Sequence, residues 1–251
     1  MFNIDTNWVC SDKRVMHRWT FVLFLTLASY AFAESDSDIA TLQKRAESGD
    51  AKGQYELAIS FIGREELSKD NEDLALKWMT KSAEQGYVDA EFRLGAMCDM
   101  RGNHAEAEQW FTKAAKKGNS PSALMLFYHY GKGFNILGAF IPDIKQDQAA
   151  ATKWIIKAVE NNDSPADEQL GMEQMLSERY EKGLGVKKDI IESEKWLILA
   201  CSYHNPTNAP GPQTERSRLE KQLSPEQIKE AQKRADDWDH SHKRRQEPLA
   251  Q

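Results

Sequence analysis

Four tryptophans recur along the chain, each inside the same pattern of small and polar residues. Each ring has a small residue three positions before it, another four positions after it, and an Asn or Asp seven positions before it. Offsets of this kind lie on one side of an α-helix, and Asn or Asp is a common N-cap. The pattern predicts four copies of one helix, with each ring filling the space between stacked units. The rings are Trp78, Trp110, Trp154 and Trp196; the small residues are Ala75, Ser82, Ala107, Ala114, Ala151, Ala158, Ser193 and Ala200; the predicted caps are Asn71, Asn103, Asp147 and Asp189.

A second helical pattern precedes each of these segments. Its centre is a leucine followed four residues later by a ring, as in Leu57 with Phe61 and Leu176 with Tyr180. The second copy has Cys98 where the ring is expected. Because one helix pair cannot bury its apolar face alone, several pairs must stack. The chain is therefore predicted to be an all-α solenoid of antiparallel helix pairs.

The fourth copy carries the clearest motif, with Tyr180, Gly183, Gly185, Val186 and Asp189 leading into Trp196 and Ala200. The helix ends Lys-Ser-Ala-Glu-Gln-Gly at 81–86 and Lys-Ala-Ala-Lys-Lys-Gly at 113–118 repeat each other. With these residues the chain resembles the Sel-1-like repeats, relatives of the tetratricopeptide repeats, over about residues 44–204. The resemblance implies an α/α superhelix with a concave binding surface and a role in assembling proteins, usually without catalysis.

The same pattern sets the predicted boundaries. We predict a signal peptide at 1–33, an N-terminal capping helix from a partial repeat at 34–49, four repeats at 50–87, 88–119, 120–162 and 163–204, and a loop, C-terminal capping helices and a charged tail at 205–251. Ser224, Pro225 and Gln227 are typical of a capped helix start, and the last helix is expected to run to about Trp238.

The N-terminus has the features of a secretory leader. Lys13, Arg14 and Arg18 precede an apolar run at 19–32, and Ala31-Phe32-Ala33 offers small residues for cleavage after Ala33. A membrane anchor is the alternative, but the run is shorter than the roughly 20 residues that a spanning helix needs. We therefore expect export to the periplasm without stable membrane insertion. Met1 and Met16 are both candidate starts, and a start at Met16 would give a more ordinary segment before the apolar run.

Composition and motifs argue against several functions. The formal net charge of -6 disfavours a nucleic-acid partner. The chain contains no Gly-x-Ser-x-Gly or His-Glu-x-x-His motif, and the Ser-x-x-Lys and Lys-Thr-Gly set of β-lactamases is absent. His240 and His242 beside three aspartates are interpreted as a solvated tail. Cys98 and Cys201 lie in different repeats and are expected to stay unpaired. We predict no catalytic residue, no metal and no cofactor.

The third repeat carries about ten extra residues at 135–144, which read Asn-Ile-Leu-Gly-Ala-Phe-Ile-Pro-Asp-Ile. Loops are normally polar, so an apolar insert has two interpretations. It folds back over the solenoid, or it presents an apolar patch to a partner. On the second interpretation Phe140 is the best anchor, with Phe134 and Ile141 in support.

These observations favour a scaffold over an enzyme. The expected partner is another protein. Exported members of the resembled family serve as immunity proteins that sequester toxic effectors, so the resemblance implies this role in the periplasm; an adaptor for envelope machinery is a second version. The alternative from another class is an envelope hydrolase of the β-lactamase type, as attributed to cysteine-rich relatives of the resembled family.

The export prediction has a direct test. Because a signal peptidase should cut after Ala33, the protein recovered from its host should begin at Glu34, as read by mass spectrometry of the intact chain. Recovery of the uncut leader in the cytoplasmic fraction would contradict export.

Overall fold

The computed structural model describes residues 36–62, 69–135, 138–141, 145–161, 164–202 and 210–242. The predicted signal peptide and the charged tail after 242 lie outside these ranges. The described residues form eleven helices: α1 Asp36–Glu47, α2 Ala51–Ile62, α3 Lys69–Glu84, α4 Val88–Met100, α5 His104–Lys116, α6 Ser120–Lys132, α7 Gln148–Asn161, α8 Ala166–Lys182, α9 Ile190–Ser202, α10 Pro210–Glu220 and α11 Pro225–His242. None of these helices is long and apolar enough to cross a membrane.

The helices pack in chain order. Helices α2 to α9 form four consecutive pairs, and the second helix of each pair also contacts the first helix of the next. Helix α1 packs on α2 in the place of a second helix from an incomplete pair. One hydrophobic core runs from Ala58 in α2 to Ala235 in α11. The predicted all-α solenoid is confirmed.

The tryptophans do not occupy the interior as expected. Trp196 is buried, but Trp78, Trp110 and Trp154 are only half-buried and pack against the edge of the core. The expectation that the rings fill the space between units is therefore wrong for these three. The residue that follows each tryptophan is buried instead. These following residues are Met79, Phe111, Ile155 and Leu197.

Lysine side chains cover part of the exposed rings. The ammonium nitrogen of Lys113 lies 3.6 Å from the centre of the Trp110 ring, and that of Lys81 lies 4.5 Å from the Trp78 ring. A cation over an indole face is favourable, and the lysine stem shields apolar surface while its charge stays in water. The three half-buried tryptophan rings thus lie at the boundary between the core and the solvent.

Two of the four predicted caps act as caps. Asp147 accepts hydrogen bonds from the backbone N–H groups of Ala149 and Ala150 at the start of α7, and Asp189 accepts one from Glu192 at the start of α9. The side chain of Asn103 makes no capping bond. Asn71 lies inside α3, which begins two residues earlier.

The C-terminal helices close the array on α9. The predicted start of α11 is confirmed, since Ser224 donates its backbone N–H to the Gln227 side chain (2.8 Å) and accepts from the Gln227 N–H (3.3 Å). The helix continues past Trp238, whose ring meets Trp196 edge to face with centroids 5.4 Å apart. Only Ala231 and Ala235 of α11 are buried, and the rest of its surface is mostly polar, as a terminal cap requires.

Successive repeats touch through backbone at one junction. Gly185, in the turn after α8, has a φ of +72°, and a Cβ built there would lie 2.0 Å from the carbonyl oxygen of Gln148 at the start of α7. The Thr152 hydroxyl in α7 donates to the carbonyl of Leu184 (2.6 Å). Only glycine allows this approach, because any side chain would push the fourth repeat away from the third.

Replacing Gly185 with Ala tests this junction against Gly102, which has a similar φ of +82° but nothing within 4 Å of the added Cβ. Gly102→Ala should cost about 1–2 kcal/mol, the strain of a left-handed residue. Gly185→Ala should cost about 2 kcal/mol more, because of the added overlap with backbone. Urea unfolding of both variants gives the comparison. Equal losses of unfolding free energy in the two variants would mean that the turn at Gly185 is not in close contact with α7.

Candidate protein-binding surface

The apolar insert starts from a sharp stop at the end of α6. Gly133 adopts the left-handed conformation with φ 67°, and its N–H donates to the carbonyl of His129 (2.9 Å). Phe134 then donates its N–H to the carbonyl of Tyr128 (3.4 Å). Glycine is the usual residue at such a helix end, since it meets no Cβ penalty there. The chain leaves α6 in a defined direction.

The insert closes on itself through backbone hydrogen bonds. Phe134 and Phe140 form an isolated antiparallel bridge, and Ile141 donates its N–H to the carbonyl of Gly133 (2.6 Å). Asn135 donates its N–H to the carbonyl of Ala139 (2.9 Å), and its side-chain oxygen accepts from the Ala139 N–H (2.8 Å). These bonds join residues 133–135 to residues 139–141 in a short hairpin-like turn.

The closed turn sends neighbouring side chains in opposite directions. Ile141 is buried, with 2% of its surface exposed, whereas Phe140 is 63% exposed. Phe134 is half-buried and meets the Phe140 ring edge to face, with centroids 6.5 Å apart. The interpretation that the insert folds back over the solenoid therefore holds for Ile141, and the interpretation that it presents an apolar patch fits Phe140. Ile141 anchors the insert to the solenoid and has no surface to offer a partner, and Phe140 remains the predicted partner contact.

Phe140 is also unusual among the apolar residues of the protein. Within the described ranges, three large apolar side chains are exposed, Leu74 at 38%, Met100 at 47% and Phe140 at 63%. Leu74 and Met100 lie on helices. Phe140 alone of these three projects from a turn, where a partner can surround it.

The base of the insert is held from the fourth repeat. Gln148, just after the insert, donates from its side chain to the carbonyl of Gly131 (2.9 Å). The guanidinium of Arg179 in α8 donates to the Gln148 carbonyl (2.9 Å) and side-chain oxygen (2.7 Å). Arg179 is buried, and this burial lowers the pKa of its guanidinium. Residues on both sides of the insert are therefore tied to packed helices.

A buried polar cluster escaped the sequence prediction. The Asp99 carboxylate has no exposed surface and lies 2.7 Å from His104 Nδ1 and 3.4 Å from His129 Nε2. Asp99 follows Leu94 by five residues, and His129 follows Leu124 by five. Equivalent offsets in successive repeats lie side by side in a solenoid, so this match was a usable signal. The cluster joins α4, α5 and α6.

The remaining candidate residues are the two cysteines and the C-terminal histidines. Cys98 and Cys201 are free thiols, and burial raises the pKa of Cys98 to about 11. His242 stacks on the Trp238 ring at 4.1 Å. In the described part of the chain, no group of three or more His, Cys, Asp or Glu side chains is arranged to hold a metal ion.

Comparison with known proteins identifies the family. The Sel1 repeat model matches residues 51–87, 88–119, 120–163 and 169–202. The chain therefore belongs to the Sel1 repeat family, as its resemblance predicted. Sel1 repeats form a helical scaffold that generally mediates protein–protein interaction and is generally non-enzymatic.

Two solved structures are similar to this chain. A protective antigen present in uropathogenic Escherichia coli strains, which displays an SLR fold, matches with a TM-score of 0.59 and 27% identity over 94% of this chain and 49% of its own. A Sel1 repeat protein from Oxalobacter formigenes matches with a TM-score of 0.55 and 20% identity over 92% of this chain and 90% of its own. The chain spans about half the length of the E. coli antigen.

A sequence relative comes from a plant. An F-box protein of Arabidopsis thaliana is 35% identical over 65 residues, which is 26% of this chain and 17% of the relative. This short match covers too little of either protein to compare their overall architecture.

Substitutions in the insert should separate its two roles. Ile141→Ala removes a buried side chain and should lower the free energy of unfolding by about 2–4 kcal/mol. Phe140→Ala, one residue earlier, should change it by less than about 0.5 kcal/mol, because most of its ring is already in water. Urea unfolding followed by circular dichroism measures both. A Phe140→Ala variant as unstable as Ile141→Ala would show that the ring packs on the solenoid.

Proposed function

We propose that this chain is an exported scaffold that binds another protein in the periplasm, with Phe140 as a central contact. The coarse function, protein–protein interaction, is general to Sel1 repeats. The finer proposal rests on a single observation, the exposed Phe140 ring on a turn that is closed by backbone hydrogen bonds and braced by α8.

The energetic argument favours Phe140 as an anchor. An aromatic side chain gains binding free energy when its exposed area is buried, roughly 25 cal/mol per Å². Interfaces commonly depend on a few such residues at their centre. Because the turn is already closed, little backbone entropy is lost on binding. A rigid exposed ring therefore supplies more net affinity than the same ring on a flexible loop.

The proposed compartment comes from the leader-like N-terminus. The basic residues, the apolar run at 19–32 and the small residues around Ala33 support export. In the periplasm, a protein-binding solenoid would serve as an immunity protein that sequesters a toxic effector, or as an adaptor for envelope machinery. Both roles use the same surface, and the identity of the bound protein separates them.

Photo-cross-linking in the native host tests the proposal. A benzophenone amino acid placed at position 140 should give a discrete adduct with one protein in the periplasmic fraction, because the ring is expected at the interface. Position 100 is the matched control, since Met100 is also exposed but lies at the end of helix α4. Mass spectrometry of the adduct identifies the partner. A secreted toxin would indicate the immunity role, and an envelope component the adaptor role.

Two outcomes would contradict the proposal. One is the same adducts at positions 140 and 100, which would indicate non-specific contact. The other is the absence of an adduct at position 140 when the chain is folded and exported.

A further inference from the structure

We infer that the surface around Phe140 is built to receive an acidic protein segment that carries an apolar side chain. This inference rests on the proposed function and specifies the chemistry of the partner. Four lysines on the loops of the third and fourth repeats carry it. They are Lys132, Lys145, Lys187 and Lys188, and all four side chains are exposed.

Contacts place the two loops side by side. Lys132 ends α6 and precedes Gly133, whose Cβ position lies 3.4 Å from the Phe140 ring. Lys145 directly follows the insert and lies three residues before Gln148. The loop of the fourth repeat packs against that segment, since the Cβ position of Gly185 is 2.0 Å from the Gln148 carbonyl oxygen. Lys187 and Lys188 follow directly after this contact.

The acidic residues that the structure describes in these loops, Asp147, Asp189 and Glu181, have polar partners of their own. Asp147 caps α7 through the N–H of Ala149 (2.9 Å). Asp189 caps α9 and also faces Arg234 (3.3 Å). Glu181 accepts a hydrogen bond from Arg218 (2.7 Å), and this bond lowers the pKa of the Glu181 carboxyl more than the nearby charge of Lys188 does.

The four lysines make few contacts with other groups: the ammonium nitrogen of Lys132 lies 5.7 Å from the centre of the Tyr128 ring, and the charge of Lys188 acts on Glu181. Among the described residues, no ion pair involves Lys132, Lys145, Lys187 or Lys188. Their positive charge stands against a chain whose formal net charge is -6. Exposed lysines on an otherwise acidic protein attract an acidic partner to the surface around Phe140 and orient it there.

A protein partner fits better than a lipid or nucleic-acid surface. The acidic remainder of the chain would repel an extended polyanion such as a nucleic acid or an anionic membrane. A short acidic segment would contact only the surface that carries the four lysines. Phe140 adds an exposed apolar contact next to Gly133 and Lys132, and protein interfaces commonly combine aromatic anchors with a polar rim. The expected ligand is thus a segment with glutamates or aspartates around a leucine or an aromatic residue.

The test uses a defined probe and the full chain without its predicted leader. The probe is a short synthetic peptide in which a leucine and a tryptophan are flanked by glutamates, and nitrogen-15 NMR follows its titration. Signals of residues 132, 140, 145, 187 and 188 should shift. The double variant Lys187→Glu/Lys188→Glu should weaken binding at least about tenfold, and Phe140→Ala should weaken it as well. The matched control, Lys229→Glu/Lys233→Glu, changes two exposed lysines on α11 and should bind within about twofold of the unchanged chain.

Several results would overturn the inference. These are equal affinity of the Lys187→Glu/Lys188→Glu variant, equal affinity for a peptide with lysines in place of the glutamates, and tighter binding to phosphatidylglycerol vesicles than to the peptide. The cross-link at position 140 separates this inference from the proposed function. If the Lys187→Glu/Lys188→Glu chain still gives the same adduct in the host, the acidic partner is wrong and the scaffold function stands.

Discussion

Close approach between helices at small side chains is the contact on which the whole array depends. Ala75, Ala107, Ala151 and Ser193, each three residues before a tryptophan, have no exposed surface. In α4, a Cβ added to Gly95 would lie 2.8 Å from the Phe111 ring, so glycine lets that ring enter the interior. Close-packed interiors leave no room to absorb an added methyl group. The repeat is therefore defined physically by where side chains are small, and its rings occupy the space that remains.

The geometry of the helix explains what the sequence predicted and what it missed. Viewed along the axis of an α-helix, each residue is rotated by about 100° from the one before it. The residues three before, one after, four after and five after the tryptophan therefore lie within an arc of roughly 100°. The centre of this arc is about 90° from the tryptophan. The small residues at −3 and +4 lie in this arc, so they correctly predicted the helices and their stacking. The tryptophan lies about 40° outside this arc, which is why three of the four rings are only half-buried. A conspicuous residue thus marked the repeat without marking its core.

The candidate site was predictable in position but not in orientation. Comparison of the repeats located the insert at 135–144, and its apolar composition identified Phe140 and Ile141. Which of the two is exposed depends on the hydrogen bond from the Ile141 N–H to the Gly133 carbonyl, a contact that no local pattern encodes. Once that segment is extended, adjacent side chains must point to opposite sides. The Asp99 and His129 cluster was missed because a search for apolar periodicity disregards buried polar positions.

The surface around Phe140 belongs to a junction between repeats and not to one repeat. Arg179 and Gly185 of the fourth repeat hold Gln148, and Gln148 in turn holds the end of α6 beside the insert. A single third repeat would lack this support, and its insert would have to be ordered when a partner binds, at a cost in affinity. Regular stacking supplies rigidity along the array, and the one long insert uses that rigidity. On the proposed function, specificity would arise where the repeats differ, on a support that exists because they are otherwise alike.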